Sequence, residues 1–126
     1  MKRLVLACLI GLLSPLTAAA QDWAEDEATL EFVDANLLST FYHELGHALI
    51  DVLQLPVLGR EEDAADTLST LLIHDLWQED AAVGMVYHTA GSILAYASEA
   101  EGYDVAYWDE HSLDMQRYYN MICLFY

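Results

Sequence analysis

Residues 41–68 read FYHELGHALIDVLQLPVLGREEDAADTL. Two histidines, His43 and His47, stand four apart with Glu44 between them. On an α-helix, residues four apart share a face, one turn above the other. Two imidazoles so placed can point at one cation. Glu44 sits one position round the helix from His43, so it can reach a water held by that cation without being a ligand itself. This is the physical content of an HExxH signature, in which the glutamate serves as general base. Gly46, inside the same motif, allows another backbone segment to approach closely.

A catalytic tetrahedral zinc takes three protein ligands and keeps one position open. No third histidine follows at the spacing of an HExxHxxGxxH pattern. The acidic run EEDAAD, residues 61–66, is the candidate source of the third ligand. Glu62 and Asp66 are four apart and would share a helix face. Glu62 can offer a carboxylate oxygen to the metal. Asp66, one turn on, can accept a hydrogen bond from the far nitrogen of a ligand histidine, which fixes its tautomer and raises its basicity. Glu61 is an alternative ligand if the register is shifted by one, and is otherwise solvated with Asp63. The linker QLPVLGR, residues 54–60, is long enough to fold the second helix back beside the first. The bland account of the acidic run is a helix N-terminus decorated with carboxylates that favour the positive end of the dipole.

Working outward, apolar spacing predicts a first helix from about Phe32 to Gln54, with Leu37, Phe41, Leu45, Ala48 and Val52 as its buried stripe. A second is expected from Glu61 to about Trp77, with Leu68, Leu71, Leu72 and Leu76 facing inward. A third is expected over Asp80–Glu99, carrying Val83, Val86, Ala90, Ile93, Leu94 and Ala97, with Gly102 as its stop. The last is expected from an N-cap at Ser112 into YYNMICLFY. No stretch alternates as a strand would. The fold class expected is mainly α, with the HExxH helix packed against the helix that carries Glu62 and Asp66.

The chain has 126 residues, enough for one small domain. Its first twenty open with the basic MKR, continue with the apolar LVLACLIGLL and end in SPLTAAA, the pattern of a cleavable signal peptide. The apolar run is too short for a membrane span. The expectation is a signal over residues 1–20, a domain over 21–126, export to the periplasm or beyond, and no membrane association after cleavage. The formal net charge is −17, and loss of Lys2 and Arg3 with the signal leaves only Arg60 and Arg117 against 21 acidic residues. Such a surface repels nucleic acid and anionic lipid. A single cysteine, Cys123, then remains, so it is either a buried apolar residue or lacks a partner within the chain.

The string YHELGHALIDVLQLPVLGREEDAADTL, with weaker likeness at ANLL and EHSLDMQRYYNMICLFY, resembles a bacterial metallopeptidase family, a domain of unknown function. Its HExxH followed by ExxxD is the arrangement of the gluzincins. The resemblance implies a small zincin-like domain and a zinc ion. It implies His43, His47 and Glu62 as ligands, Glu44 as base, and Asp66 as the carboxylate behind a ligand histidine. The short interval between His47 and Glu62 departs from many gluzincins and leaves little room for a substrate cleft between the helices. Hydrolysis of a peptide bond also needs a donor for the oxyanion. His111, Arg117, Tyr118 and Tyr119 are the candidates, with His111 preferred. Core packing is the bland role of the tyrosines, and a salt bridge to Asp114 or the acidic run is that of Arg117. His74 and His88 read as ordinary helix residues.

The leading expectation is an exported zinc metallopeptidase acting on a peptide or protein substrate. The rival is a zinc-binding helical module with a structural or regulatory role. A small helical protein without metal is a third reading. The sequence also stops within an apolar helical run, which leaves Leu124, Phe125 and Tyr126 to be covered by something. The expectation here is a chain truncated at its C-terminus, with a complete chain or a homodimer as the rival.

Overall fold

The computed structural model describes residues 26–99 and 105–126. The signal expected over residues 1–20 and the helix stop expected at Gly102 lie outside them. Four helices make up the described chain: α1, Glu27–Leu53; α2, Glu61–Leu76; α3, Glu79–Glu99; and α4, Asp114–Phe125. Among the described residues there is no strand, and no helix is long and apolar enough to cross a membrane. The mainly α class expected from the sequence is therefore the class observed.

α1 begins a turn and a half earlier than its apolar spacing suggests. Asp26 takes the cap position, its carboxylate accepts a hydrogen bond from the Thr29 hydroxyl at 2.7 Å, and Leu30 N–H closes the first turn onto its carbonyl. The helix stops where Gln54 enters the left-handed region (φ 51°), which lets Leu55 N–H bond back to the Ile50 carbonyl. Pro56 cannot donate and ends the run. At Gly59 φ is 149°, a conformation that side chains disfavour, and the chain there turns into α2. Glu61, Glu62 and Asp63 occupy the first turn of α2, at the positive end of its dipole. The last helix starts at Asp114 and not at a Ser112 cap. Leu113 holds the cap position and has no side-chain acceptor; its backbone N–H is satisfied by the Gln116 side chain at 3.2 Å.

α1 packs on α2 and α3, and α4 packs on the same two, so the helices form a ring in the order α1, α2, α4, α3. The core within it is made of Ala35, Ile73, Ala82, Met85, Val86, Ala90, Ile93 and Met121, with Leu38, Tyr42, Tyr118, Ile122 and Phe125 packed against it. α3 supplies most of it, as its stripe predicted for Val86, Ala90 and Ile93. Ile73 is fully buried, and such a side chain is worth about 2–5 kcal/mol against alanine.

The stripe expected for α1 is wrong. Leu37, Phe41 and Val52 are 64 %, 59 % and 76 % exposed, and Ala48 is exposed too. On α2, Leu71 and Leu76 face solvent in place of the core. The buried positions are instead small: Ala35, Ser39 and Gly46 on α1, and Ala65, Ser69, Thr70 and Ile73 on α2. The reason is the closeness of the two helices. A Cβ built on Gly46 would lie 3.0 Å from Ala65 Cα and 3.2 Å from its Cβ. Further along the seam the Ser69 hydroxyl donates to the Ser39 carbonyl at 2.9 Å, with the two hydroxyls 3.3 Å apart. Contacts climb one helix as they descend the other, so the pair is antiparallel, and the larger apolar side chains are left on the outer faces.

The terminal turn has Leu124 and Tyr126 exposed and Phe125 half-buried against the core. Cys123 is exposed, not buried as one reading of it supposed.

The Gly46 contact can be tested by substitution. Alanine there gains up to about 1 kcal/mol of helix propensity but meets backbone, where overpacking costs about 1–3 kcal/mol. Gly46→Ala should therefore lower the melting temperature. Gly84→Ala and Gly91→Ala, whose new methyls meet nothing within 4 Å, should raise it. A rise for all three would show that α1 and α2 can part at no cost.

Candidate metal centre

The close crossing of α1 and α2 places the HELGH face against the first turn of α2. His43 Nε2 lies 3.1 Å from Glu62 Oε2, His47 Nε2 lies 3.3 Å from the same oxygen, and the two Nε2 atoms are 3.2 Å apart. These three residues form a group that can hold a metal ion, and all are half-buried. A tetrahedral cation with ligand bonds of about 2.0–2.1 Å has ligand–ligand edges of about 3.3–3.4 Å. The triangle therefore has the size such an ion requires, and no side chain must move far to receive one. Two imidazole nitrogens and one carboxylate oxygen suit a divalent transition metal and fit calcium or magnesium poorly, since those ions prefer oxygen alone.

The far side of each imidazole is held by a carboxylate. His43 Nδ1–H donates to Asp66 Oδ1 at 2.8 Å, and His47 Nδ1–H donates to Glu61 Oε1 at 2.8 Å. A proton on Nδ1 leaves Nε2 as a bare lone pair. Two such lone pairs then face each other and a carboxylate oxygen within hydrogen-bond distance. That arrangement is repulsive unless a proton or a cation lies between them, and it is the strongest argument in the structure that the residues fit a metal.

Asp66 thus stands behind the imidazole of His43. Glu61, its side chain 51 % exposed, is the hydrogen-bond partner of His47. Hydrogen bonding to Glu61 raises the pKa of His47; partial burial opposes this, and the charge of Glu62 adds to the rise. For Asp66, burial alone would raise the pKa, but the hydrogen bonds and charge of Arg117, followed by His43, outweigh it and leave the carboxyl lowered.

His111 arrives from the segment before α4 and stands outside the triangle. Its Nε2 lies 2.9 Å from Glu62 Oε2, and its ring is stacked near that of His43, with centroids 6.1 Å apart. The Asp109 carboxylate accepts from its backbone N–H at 2.9 Å and lies 3.2 Å from Nδ1. Those bonds, backbone first, hold the Asp109 carboxyl below its usual range. Arg60 donates to the His111 carbonyl and ties this segment to the start of α2. Arg60 was not singled out by the sequence, since a contact between residues 60 and 111 has no local signature; Asp109, two residues before His111, was within local reach and was missed.

Glu44 projects from the exposed side of α1 and has no hydrogen bond or ion pair among the described residues, so its carboxylate is free to act. Arg117 forms a salt bridge with Asp66 in the acidic run. Tyr118 packs on the core and Tyr119 is exposed; neither makes a hydrogen bond to the site. His74 pairs with Asp75 and His88 packs on Phe32, both away from the cluster.

No curated protein and no solved structure is matched by this chain. A family model described as "Putative metallopeptidase" (DUF4344) matches residues 9–126. That span takes in all four helices and every residue of the cluster, and the chain belongs to this metallopeptidase family.

Proposed function

We propose that the protein is an exported zinc metallopeptidase that hydrolyses peptide bonds, with His43, His47 and Glu62 as ligands and Glu44 as general base. The observation that carries this is the triangle of ligand atoms, each imidazole braced from behind by a carboxylate. The leader-like first twenty residues support export. Three protein donors leave a fourth position open, which favours a catalytic site over a structural one, where four protein ligands are usual.

Zinc, when bound there, supplies Lewis acidity towards a water and a peptide carbonyl. Glu44 accepts the proton of the attacking water and delivers it to the leaving amine. It can do so because it is beside the ligands on α1 and engaged by no other side chain. His111, braced by Asp109, exchanges the contact of its Nε2 with Glu62 for the oxyanion that develops on the carbonyl oxygen. The cluster sits where α1, α2 and the segment before α4 meet, with His43, Glu62 and His47 side chains 13 %, 17 % and 25 % exposed.

Metal content and turnover separate this reading from a non-catalytic zinc module. The purified protein should carry one zinc per chain, and His43→Ala should lose it. Glu44→Gln should keep the metal and the melting temperature while cleavage of a fluorogenic peptide library falls about 10²–10⁴-fold. A stoichiometric zinc protein that cleaves nothing, with Glu44→Gln indistinguishable from it, would establish the module instead.

Proton and metal compete for His47. Its pKa is raised above 6.5 in the metal-free fold, so its protonated form stabilises that fold below 6.5. This contribution is lost as pH rises through the raised value, while zinc requires Nε2 unprotonated. The zinc-induced rise in melting temperature should therefore grow from pH 5.5 to pH 8, as the metal-free melting temperature declines. Scanning calorimetry of stripped and loaded protein across that range is the check, and a zinc effect independent of pH would remove His47 from the ligand set.

A further inference from the structure

We propose that Arg117 is a positioning residue of the metal centre, acting through Asp66 on His43. The inference rests on reading the His43–His47–Glu62 cluster as a metal site. Arg117 grips Asp66 with both arms of its guanidinium: Nε donates to Oδ2 at 2.7 Å and Nη2 to Oδ1 at 3.0 Å. Asp66 Oδ1 is also the atom that accepts from His43 Nδ1–H at 2.8 Å. One oxygen is thus shared between the arginine and the ligand histidine. The side chains of His43, Asp66 and Arg117 are 13 %, 21 % and 23 % exposed, so water screens the chain only in part.

A lone aspartate can swing about two side-chain torsions, and its oxygens would then wander relative to the imidazole. A two-pronged guanidinium fixes the plane of the carboxylate as well as its position. The plane in turn decides where Oδ1 meets Nδ1, and so which way the Nε2 lone pair of His43 points.

The placement of Arg117 in the fold gives this bond a second meaning. Helix α4, which carries it, meets α1, which carries His43, only through core side chains, with no Cα of one within 8 Å of a Cα of the other. Asp66 on α2 lies between them. The chain Arg117–Asp66–His43 is therefore a polar link from α4 to the metal face of α1, through α2. Only two arginines, and no lysines, occur among the described residues, and Arg60 is spent on the His111 carbonyl. The ordinary alternative is a salt bridge that fastens α4 to α2 and has no bearing on the metal.

Zinc affinity, measured on the metal-stripped full chain by competition with a chromogenic chelator, distinguishes the two. Asp66→Ala should weaken zinc about 10–100-fold, the usual loss for a carboxylate behind a ligand histidine. Arg117→Ala should weaken it about 10-fold, at the low end of the same range. The double variant should bind within about 2-fold of Asp66→Ala alone, because residues acting through one contact do not add. Arg117→Lys keeps the charge without the fork, and should recover only part of the loss. It also serves if Arg117→Ala does not fold. Thermal unfolding of each stripped variant reports the purely structural share. Parent-like zinc affinity in Arg117→Lys and Arg117→Ala, even with a lowered melting temperature, would make Arg117 a strut and overturn the proposal. So would losses that multiply in the double variant. A parent that bound no zinc would instead refute the metal reading on which the proposal stands, an outcome that no Arg117 variant can mimic.

Discussion

The approach of Gly46 to Ala65 governs the rest of this molecule. With Ala65 Cα only 3.0 Å from where a Cβ on Gly46 would be, α1 and α2 are held at nearly backbone contact. At that separation short side chains can bridge the gap. Histidine and glutamate side chains meet at 3.1–3.3 Å beside the crossing, and Ser39 meets Ser69 further along the same seam. A wider crossing would leave the same motif residues unable to share an ion. The cost of so tight a seam is that it excludes leucine and phenylalanine, which then appear on the outside of α1.

Charge is arranged around the cluster with the same economy. A chain with 21 acidic residues could be expected to scatter them for solubility. Several instead have positional work. Asp66, Glu61 and Asp109 each stand behind an imidazole, and Glu62 faces three of them. The first turn of α2 shows that two physical accounts of one feature can both hold. Carboxylates there favour the helix dipole, and the same carboxylates supply the site. Both arginines serve the segment from residue 105 onward, one through the His111 carbonyl and the other through Asp66. With the His111–Glu62 contact, these two tie that segment to α2.

Membership of a metallopeptidase family and the geometry of the cluster bear on different properties of the protein. The family match covers the whole helical ring and speaks to the kind of chemistry. The triangle of donors speaks to what the residues can physically hold. Neither depends on the large pattern of exposed apolar groups along α1, where Leu37, Phe41 and Val52 lie on the outer side of the helix that bears Glu44.

By itself the sequence determined the helices, their approximate limits and the identity of the cluster. Those rest on local rules: four-residue spacing on a helix, a proline and a glycine between α1 and α2, and an ExxxD pair in phase with HExxH. Tertiary structure decided which face of each helix is buried. Periodicity weighs side chains by size, and it chose Leu37, Phe41 and Val52, whereas the seam admits only what fits between two touching backbones. It also decided the partners at long range. That Glu61 braces His47 follows from how α1 crosses α2, and that His111 reaches Glu62 and Arg117 grips the carboxylate behind His43 follow from where α4 and its lead-in dock. Docking is set by packing summed over the whole ring, and no window of sequence contains that sum.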